Sequence, residues 1–458
     1  MMNSNIFREY DIRGIAETDL GDADVTIIGR ALGTFYARHG AKTVVVGQDV
    51  RLTSPRISKA LIAGLNASGI SVVTIGTVPT PAMYYAVHAW NMDGGVAVTG
   101  SHNPVEFNGF KMNLGKASIY GTMIQEIRAI AEKGDFASGA GTVSERDVLA
   151  EYNAVLRRKN HLSRPLKVVI DAGNGCAGPH APAFFRDMGC TVEELYTEPD
   201  GRFPNHLPDP TVPALIKDLV ALVQSSGADL GIGYDGDADR VGLVDNTGRV
   251  VWGDQLLAIA AADMLTRKPG AKVIFEVKCS QAVADWVTKH GGVPILWKTG
   301  HSLIKAKMKE EGALLAGEMS GHMFFAEDWY GFDDALYASA RLASIVADSG
   351  KSLAALVDEL PKYYSTPELR FECDDTAKFD VVRTVVEHFR REHEVIDVDG
   401  ARILFGDGWG LVRASNTQPV LVARFEARSP ERLEAIKSAV MDYLATFPAV
   451  HLDKLAGH

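Results

Sequence analysis

Cysteine is scarce in this chain. Its four residues, Cys176, Cys190, Cys279 and Cys373, are scattered through 458 positions with no C-x-x-C pair. That spacing offers no disulfide framework and fits small buried thiols in a reducing cytosol. Basic residues are in the minority, 47 Lys and Arg against 58 Asp and Glu, for a formal charge of −11. This balance argues against nucleic acid or an anionic membrane as the main partner. Long apolar runs are missing too: Leu256 to Leu265, the most apolar helical stretch, is interrupted by Asp263 and too short to span a bilayer. Met1 to Gly14 carries charge from Arg8 onward and no apolar h-region, so no signal peptide is expected and the expected location is cytoplasmic. Low-complexity sequence is absent, and 46% hydrophobic with 23% charged residues is the composition of a globular protein with real cores.

What is present is one unit written three times. Lys42–Asp49, Leu166–Asp171 and Lys272–Lys278 are short, nearly continuous apolar runs rich in β-branched residues, as strands buried on both faces of a sheet require. A helical stretch follows each. The first opens with Ser54 as a cap and Pro55 at the first helical position; the third opens at Ser280 and closes at Gly291-Gly292. Second strands are expected at Ser71–Ile75, Thr191–Tyr196 and Val293–Trp297, giving βαβ in triplicate. A further apolar run in each copy ends in a polar loop: Gly95–Val98 in TGSHNP, Leu230–Gly233 in YDGDADR, Ala313–Ala316 in GEMSGH. Open α/β sheets bind ligands beyond the carboxyl ends of their strands, so three loops converge on one shared site. The spacing differs between copies, which marks a divergent triplication. Past Pro361 the pattern stops. The Pro361–Pro367 segment reads as a linker to a different, α+β unit with a helix at Thr376–His388, strands at Ala401–Phe405 and Val420–Glu426, and a helix from Pro430 to about Tyr443.

The loops differ in how tightly their chemistry is constrained. Asp235, Asp237 and Asp239 alternate on a tight turn, where three carboxylates repel one another unless they share a hard cation such as Mg²⁺. An EF-hand loop needs glycine at position six and glutamate at twelve; Arg240 and Asn246 stand there. Ser101 follows Gly100 at a strand end but lacks the second glycine of a hydrolase elbow. On local residues alone it reads as either a turn serine or a phosphoryl-transfer nucleophile, and His102 as a turn residue. Glu318, Ser320 and His322, between Gly317 and Gly321, offer groups suited to sugar hydroxyls, though polar loops of this kind are often only loops. Arg413, Ser415, Asn416 and Thr417 supply a guanidinium, two hydroxyls and an amide, either a phosphate cradle or a solvated turn, with Gly408-Trp409-Gly410 as a flexible approach.

Taken in order, TGSHNP, DGDADR, GEMSGH and RASNTQP resemble the phosphoserine, metal, sugar-recognition and phosphate-binding loops of the α-D-phosphohexomutase family. FREYDIRG, NGFKM, EVKCS and KTGHSLIK are similar to its bacterial phosphomannomutase/phosphoglucomutase branch, and Ala238 stands where relatives commonly have glycine. The resemblance covers essentially the whole chain. It implies three tandem α/β domains, mixed sheets between helices, and a C-terminal α+β domain around a central cleft, divided as 1–146, 147–250, 251–362 and 363–458. It also implies roles. Ser101 would be phosphorylated and would hold Mg²⁺ with Asp235, Asp237 and Asp239. Glu318, Ser320 and His322 would bind the sugar. Arg413, Ser415, Asn416 and Thr417 would grip the unreactive phosphate, and Tyr10, Arg13, His102, Lys111, Arg240, Lys278 and His301 would line the cleft. His102, Lys111 and His301 are the candidates for moving the hydroxyl proton.

The implied activity is transfer of a phosphoryl group between C1 and C6 of glucose and mannose phosphates, with hexose 1,6-bisphosphate as intermediate and activator. The implied partners are hexose phosphates, with no nucleic acid or membrane, for a monomer whose fourth domain moves to open and close the cleft. The competing readings are a phosphoglucosamine mutase, a Mg²⁺-dependent phosphatase with an aspartyl nucleophile, and a sugar-phosphate-binding protein without catalysis.

Overall fold

The computed structural model describes residues 2–415 and 418–455, and in it each repeated unit builds its own sheet. In the first, strand Thr43–Gln48 lies between Ser71–Thr77 and Gly94–Val98, parallel to both, and Phe107–Leu114 returns antiparallel to Gly94–Val98. The strands therefore run second, first, third, fourth across the sheet. The same order recurs with Lys167–Asp171 between Thr191–Leu195 and Leu230–Tyr234, and Val241–Asp245 returning. It recurs again with Lys272–Glu276 between Val293–Trp297 and Leu315–Gly317, and Met323–Phe325 returning. One topology built three times is the structural counterpart of the repeat in the sequence.

The return strands are what the sequence reading lacks, and they matter. Each polar loop connects the carboxyl end of a central strand to an antiparallel partner, so its chemistry-bearing residues are pinned to the sheet at both ends. Ser54 also departs from expectation. The helix Ser54–Ala67 begins at Ser54 itself, preceded by Thr53 and without a side-chain cap. The Ser54 hydroxyl donates instead to Asp49, 2.5 Å away.

The fourth unit is an antiparallel sheet ordered Glu394–Ile396, Ala401–Leu404, Gly408–Ala414, Val420–Ala427, Leu369–Cys373, Val450–Leu455, with helices Lys378–Phe389 and Pro430–Leu444 packed against it. Two expectations fail here. Gly408–Ala414 is an inner strand and no flexible approach: Trp409 is buried, its indole N–H bonded to Glu426 (2.8 Å) and its ring under the Arg402 guanidinium. The expected linker contributes strand Tyr364–Ser365 to the same sheet, paired with Val420–Ala427.

One continuous apolar core runs through the first three units, whereas the fourth has a core of its own. The seam between third and fourth is narrower: Val277 packs on Trp409 and Leu411, and Arg402 donates to the carbonyls of Val277 (2.6 Å) and Cys279 (2.9 Å). All four cysteines are buried and free, and among the described residues no helix is long and apolar enough to cross a membrane.

Candidate active site

The serine loop is built from beneath by a buried ion pair. Asp49, at the end of the first central strand, accepts from the Arg51 and Gly100 amides and the Ser54 and Thr99 hydroxyls. Arg51, 1% exposed, donates to the carbonyls of Ser101, Asn103, Pro104 and Phe107. A guanidinium bonded to four carbonyls fixes the path of the whole loop. It also explains Gly100, since a Cβ there would come 2.3 Å from Arg51 Nε. Held this way, Ser101 adopts a left-handed backbone (φ 49°), a conformation that costs a non-glycine residue about 1–3 kcal/mol and that concentrates at functional sites.

Opposite it lies the three-carboxylate loop. Ser101 Oγ donates to Asp235 Oδ2 at 2.9 Å and lies 3.1 Å from His102 Nδ1. Gly236 permits this approach, because a Cβ there would meet the Ser101 carbonyl oxygen at 2.5 Å. Ala238 takes a left-handed φ of 59°, a conformation that favours glycine. The Asp235, Asp237 and Asp239 oxygens lie within 4.8 Å of one another and are fully buried. Lys111 Nζ bonds both Asp237 (2.7 Å) and Asp239, and Thr80 Oγ1 donates to Asp237 at 2.6 Å. Burial and repulsion from Asp239 and Asp237 push the Asp235 carboxyl well above the usual range. Burial alone would lower the Lys111 ammonium, but the Asp237 and Asp239 carboxylates overcome it and the net shift is upward. Asp237 Oδ1 and Asp239 Oδ1 remain buried without a hydrogen-bond partner. Two orphaned carboxylate oxygens in a three-carboxylate pocket beside a serine hydroxyl fit a hard divalent cation.

Behind the carboxylates stands a chain of groups around Asp333. His322 Nε2 accepts from Arg240 Nε at 3.0 Å, which puts the ring proton on Nδ1, 3.3 Å from Asp333 Oδ2 and 3.7 Å from Asp239 Oδ1. His301 Nδ1 is 3.4 Å from the same Asp333 oxygen, the two imidazoles stack with centroids 5.5 Å apart, and Lys305 Nζ holds Asp333 Oδ1 at 2.8 Å. Burial, then nearby cations, keep the His102 and His301 imidazoles neutral, well below their ordinary range. One Asp333 oxygen thus lies within 3.4 Å of both rings, an electrostatic contact that does not reach hydrogen-bond geometry. Asp333→Asn is expected to lower kcat about 10- to 100-fold with little change in KM, because the side chain is fully buried against the imidazoles and Lys305. Steady-state kinetics of the variant checks this; an unchanged kcat would remove Asp333 from the machinery.

The remaining expected residues divide between contacts within a domain and contacts across the seams. Arg13 pairs with Asp11 at 2.5 Å on the strand beside that of Lys111. Tyr10 Oη donates to the Thr299 carbonyl (3.0 Å), whose amide in turn donates to Asp399 Oδ2 (3.0 Å), and Asp399 binds Arg413 at 3.1 Å. Thr299 therefore joins the first, third and fourth domains. Glu318 accepts from the Gly300 amide (2.6 Å) and from Ser320 (3.3 Å), and Lys278 pairs with Glu368 at 3.1 Å. Ser415 is buried at the end of the Arg413 strand; Asn416 and Thr417 lie outside the described residues. Sequence reasoning passed over Asp49, Arg51, Thr80, Lys305 and Asp333. Each is a lone charged or hydroxyl residue whose partners come from distant segments.

Four domain families, described as phosphoglucomutase/phosphomannomutase alpha/beta/alpha domains I, II and III and C-terminal domain, match residues 4–138, 148–248, 252–364 and 368–443 in that order. The chain belongs to the α-D-phosphohexomutase family. Among curated relatives of this phosphohexomutase, the phosphomannomutase/phosphoglucomutase of Pseudomonas aeruginosa is 46% identical over 442 residues, covering 96% of each chain. The phosphoglucomutase of Neisseria gonorrhoeae is 44% identical over 95% of each. Among solved structures, a phosphoglucomutase/phosphomannomutase family protein from Burkholderia thailandensis superposes with a TM-score of 0.92 at 42% identity, covering 99% of this chain and 100% of that one.

Proposed function

We propose that this phosphohexomutase interconverts the 1- and 6-phosphates of glucose and mannose through a phosphoserine at Ser101 and a hexose 1,6-bisphosphate. The observation that carries the reading is the facing pair of loops: a serine hydroxyl in a strained left-handed turn, 2.9 Å from a carboxylate of a buried three-aspartate pocket with two unpaired oxygens. In the forward half-reaction the sugar hydroxyl attacks the phosphorus. The P–Oγ bond breaks, a P–O bond to the sugar forms, and the hydroxyl proton is taken up by a neutral imidazole. The bisphosphate then turns end for end, Ser101 Oγ attacks the other phosphorus, the sugar P–O bond breaks, and the imidazole returns its proton to the departing sugar oxygen.

Asp235, Asp237, Asp239 and a phosphoserine oxygen would hold Mg²⁺, which when bound offsets charge on the transferring phosphoryl group. His102, next to Ser101, and His301 and His322, tied to Asp333, are the groups we assign to the proton. The upward shift of Lys111 makes it a counter-charge for the aspartates rather than a base. Arg13 and Arg240 offset phosphate charge, Glu318 and Ser320 read sugar hydroxyls, and Tyr10, Lys278, Arg413, Ser415, Asn416 and Thr417 grip the distal phosphate. We assign domains at 1–146, 147–250, 251–362 and 363–458, the activating role to hexose 1,6-bisphosphate, and a cytoplasmic monomer as the working state.

Glucose and mannose differ only at C2, and contacts to the other hydroxyls do not separate them. Both 1-phosphates, supplied with Mg²⁺ and a trace of hexose 1,6-bisphosphate, are expected to turn over to 6-phosphates without release of inorganic phosphate, with N-acetylglucosamine 1-phosphate a poor third. Coupled assay of 6-phosphate beside free phosphate decides it. Free phosphate as main product would make the chain a phosphatase.

A further inference from the structure

A crevice of about 630 Å³ opens at the seam between the first and third domains, behind Asp333 and along helix His301–Glu311. Its floor holds three polar atoms with no partner: Asn113 Oδ1, Ser118 Oγ and Ser302 Oγ. These residues are 4%, 8% and 1% exposed. Buried polar atoms almost always have a partner, and these three would gain one only if the crevice opened slightly around a ligand. One wall is aromatic. Tyr84 and His88 pack on Phe332 with centroids 5.4 and 5.5 Å away, and Tyr330 lies parallel to Phe332, 2° between planes, with 41% of its surface exposed. The charge is of one sign. Lys305 reaches in, Lys116 and Lys309 stand exposed at the margin, and no acidic residue lines the crevice although the chain carries a net −11. Burial, then Lys116 and Lys305, push the His88 imidazole down to about 4, so the only other titratable group on that wall besides the tyrosines is neutral.

We propose that this crevice is a second ligand site, for an anion that carries a flat ring, of the nucleotide class. The volume suits a ligand of that size. The aromatic wall takes the ring and the lysines take the phosphates, and slight opening of the crevice would bring the orphaned hydroxyls and amide oxygen within reach of the sugar. A hexose phosphate lacks the flat ring this wall offers. Occupancy would be felt at the catalytic loops through one side chain. Lys305 spans both places, over the Tyr84 ring on one side and on Asp333 Oδ1 on the other. An anion drawing Lys305 toward it weakens its hold on Asp333, the carboxylate that sits beside His301 and His322. This coupling rests on the mutase reading; the binding does not.

The test is fluorescence polarisation of an N-methylanthraniloyl derivative of ADP with the full chain. Binding is expected, with affinity reduced at least about tenfold in a Lys116→Glu/Lys309→Glu double variant and unchanged in Arg413→Ala. No binding up to millimolar protein, full affinity in the lysine variant, or loss in Arg413→Ala would each overturn the site, the last by putting the nucleotide in the hexose phosphate cleft. Both substituted lysines are exposed and away from the catalytic groups, so the double variant keeps basal turnover. ADP is expected to lower kcat of the native enzyme and not of that variant. If the chain shows no mutase activity at all, the polarisation arms still stand.

Discussion

Ser101→Ala is expected to reduce mutase turnover by at least about 10⁴-fold with the protein folded and the metal loop intact. The fold survives because alanine keeps the Cβ that already tolerates the left-handed turn, and because the loop is held by Arg51 through carbonyls that the substitution leaves in place. What is lost structurally is one donor to Asp235 Oδ2, worth about 1 kcal/mol. What is lost chemically is the only hydroxyl of the loop in contact with the aspartate pocket. Added hexose 1,6-bisphosphate cannot restore activity, since there is no oxygen to receive its phosphoryl group. Kinetics with and without bisphosphate, beside a thermal melt, checks both halves. Full activity in the variant would end the phosphoserine mechanism and return the aspartyl phosphatase to consideration.

The second large effect belongs to Lys111→Met, which is expected to destabilise the protein by about 3–5 kcal/mol in chelator. Methionine fills most of the lysine's volume, so packing changes little. The charge is what matters: the Lys111 ammonium, 4% exposed, is the cation bonded to both Asp237 and Asp239. Without it, two buried carboxylates face each other and Asp235 with far less positive charge to offset them. A divalent cation bound to those carboxylates supplies the missing charge, and ligand linkage then stabilises the variant more than the native chain. Calorimetry in EDTA and in millimolar Mg²⁺ is expected to show a large deficit in the first and a partial recovery in the second. Equal stability of variant and native protein in EDTA would show that the ammonium is not the counter-charge.

The three repeated units and the four chemistry-bearing loops were legible in the sequence because each is local. A β-branched run followed by a helical stretch announces βαβ, and three aspartates at alternate positions announce a cation wherever the chain goes. The arrangement that makes the site work is not local. Arg51 looks like any loop arginine until Ser101, Asn103, Pro104 and Phe107 are folded over it. Asp333 is an ordinary acidic residue until helix His301–Glu311 and the His322 loop approach it from two sides. The misreading of Gly408-Trp409-Gly410 has a related cause. Two glycines suggest a turn, but here they let a strand run beneath Phe425 and Val440 and against Ala427, where side chains would collide. Ser54 shows the converse, a local cap signal overridden because a buried aspartate offered its hydroxyl a better partner.

The separate core of the fourth domain has a kinetic meaning. A bisphosphate that must turn around between two half-reactions has to be kept long enough to be used and released once isomerised. A domain merged into the common core would hold its ligand without letting go; one tethered only by chain would lose it. Here the contact is a small apolar patch rimmed by polar links, among them Arg402 and Arg424 donating to carbonyls of the third domain, the Lys278–Glu368 pair, and a three-way junction at Thr299. If the proposed bisphosphate forms, the strength of this contact sets how often it escapes before the second half-reaction.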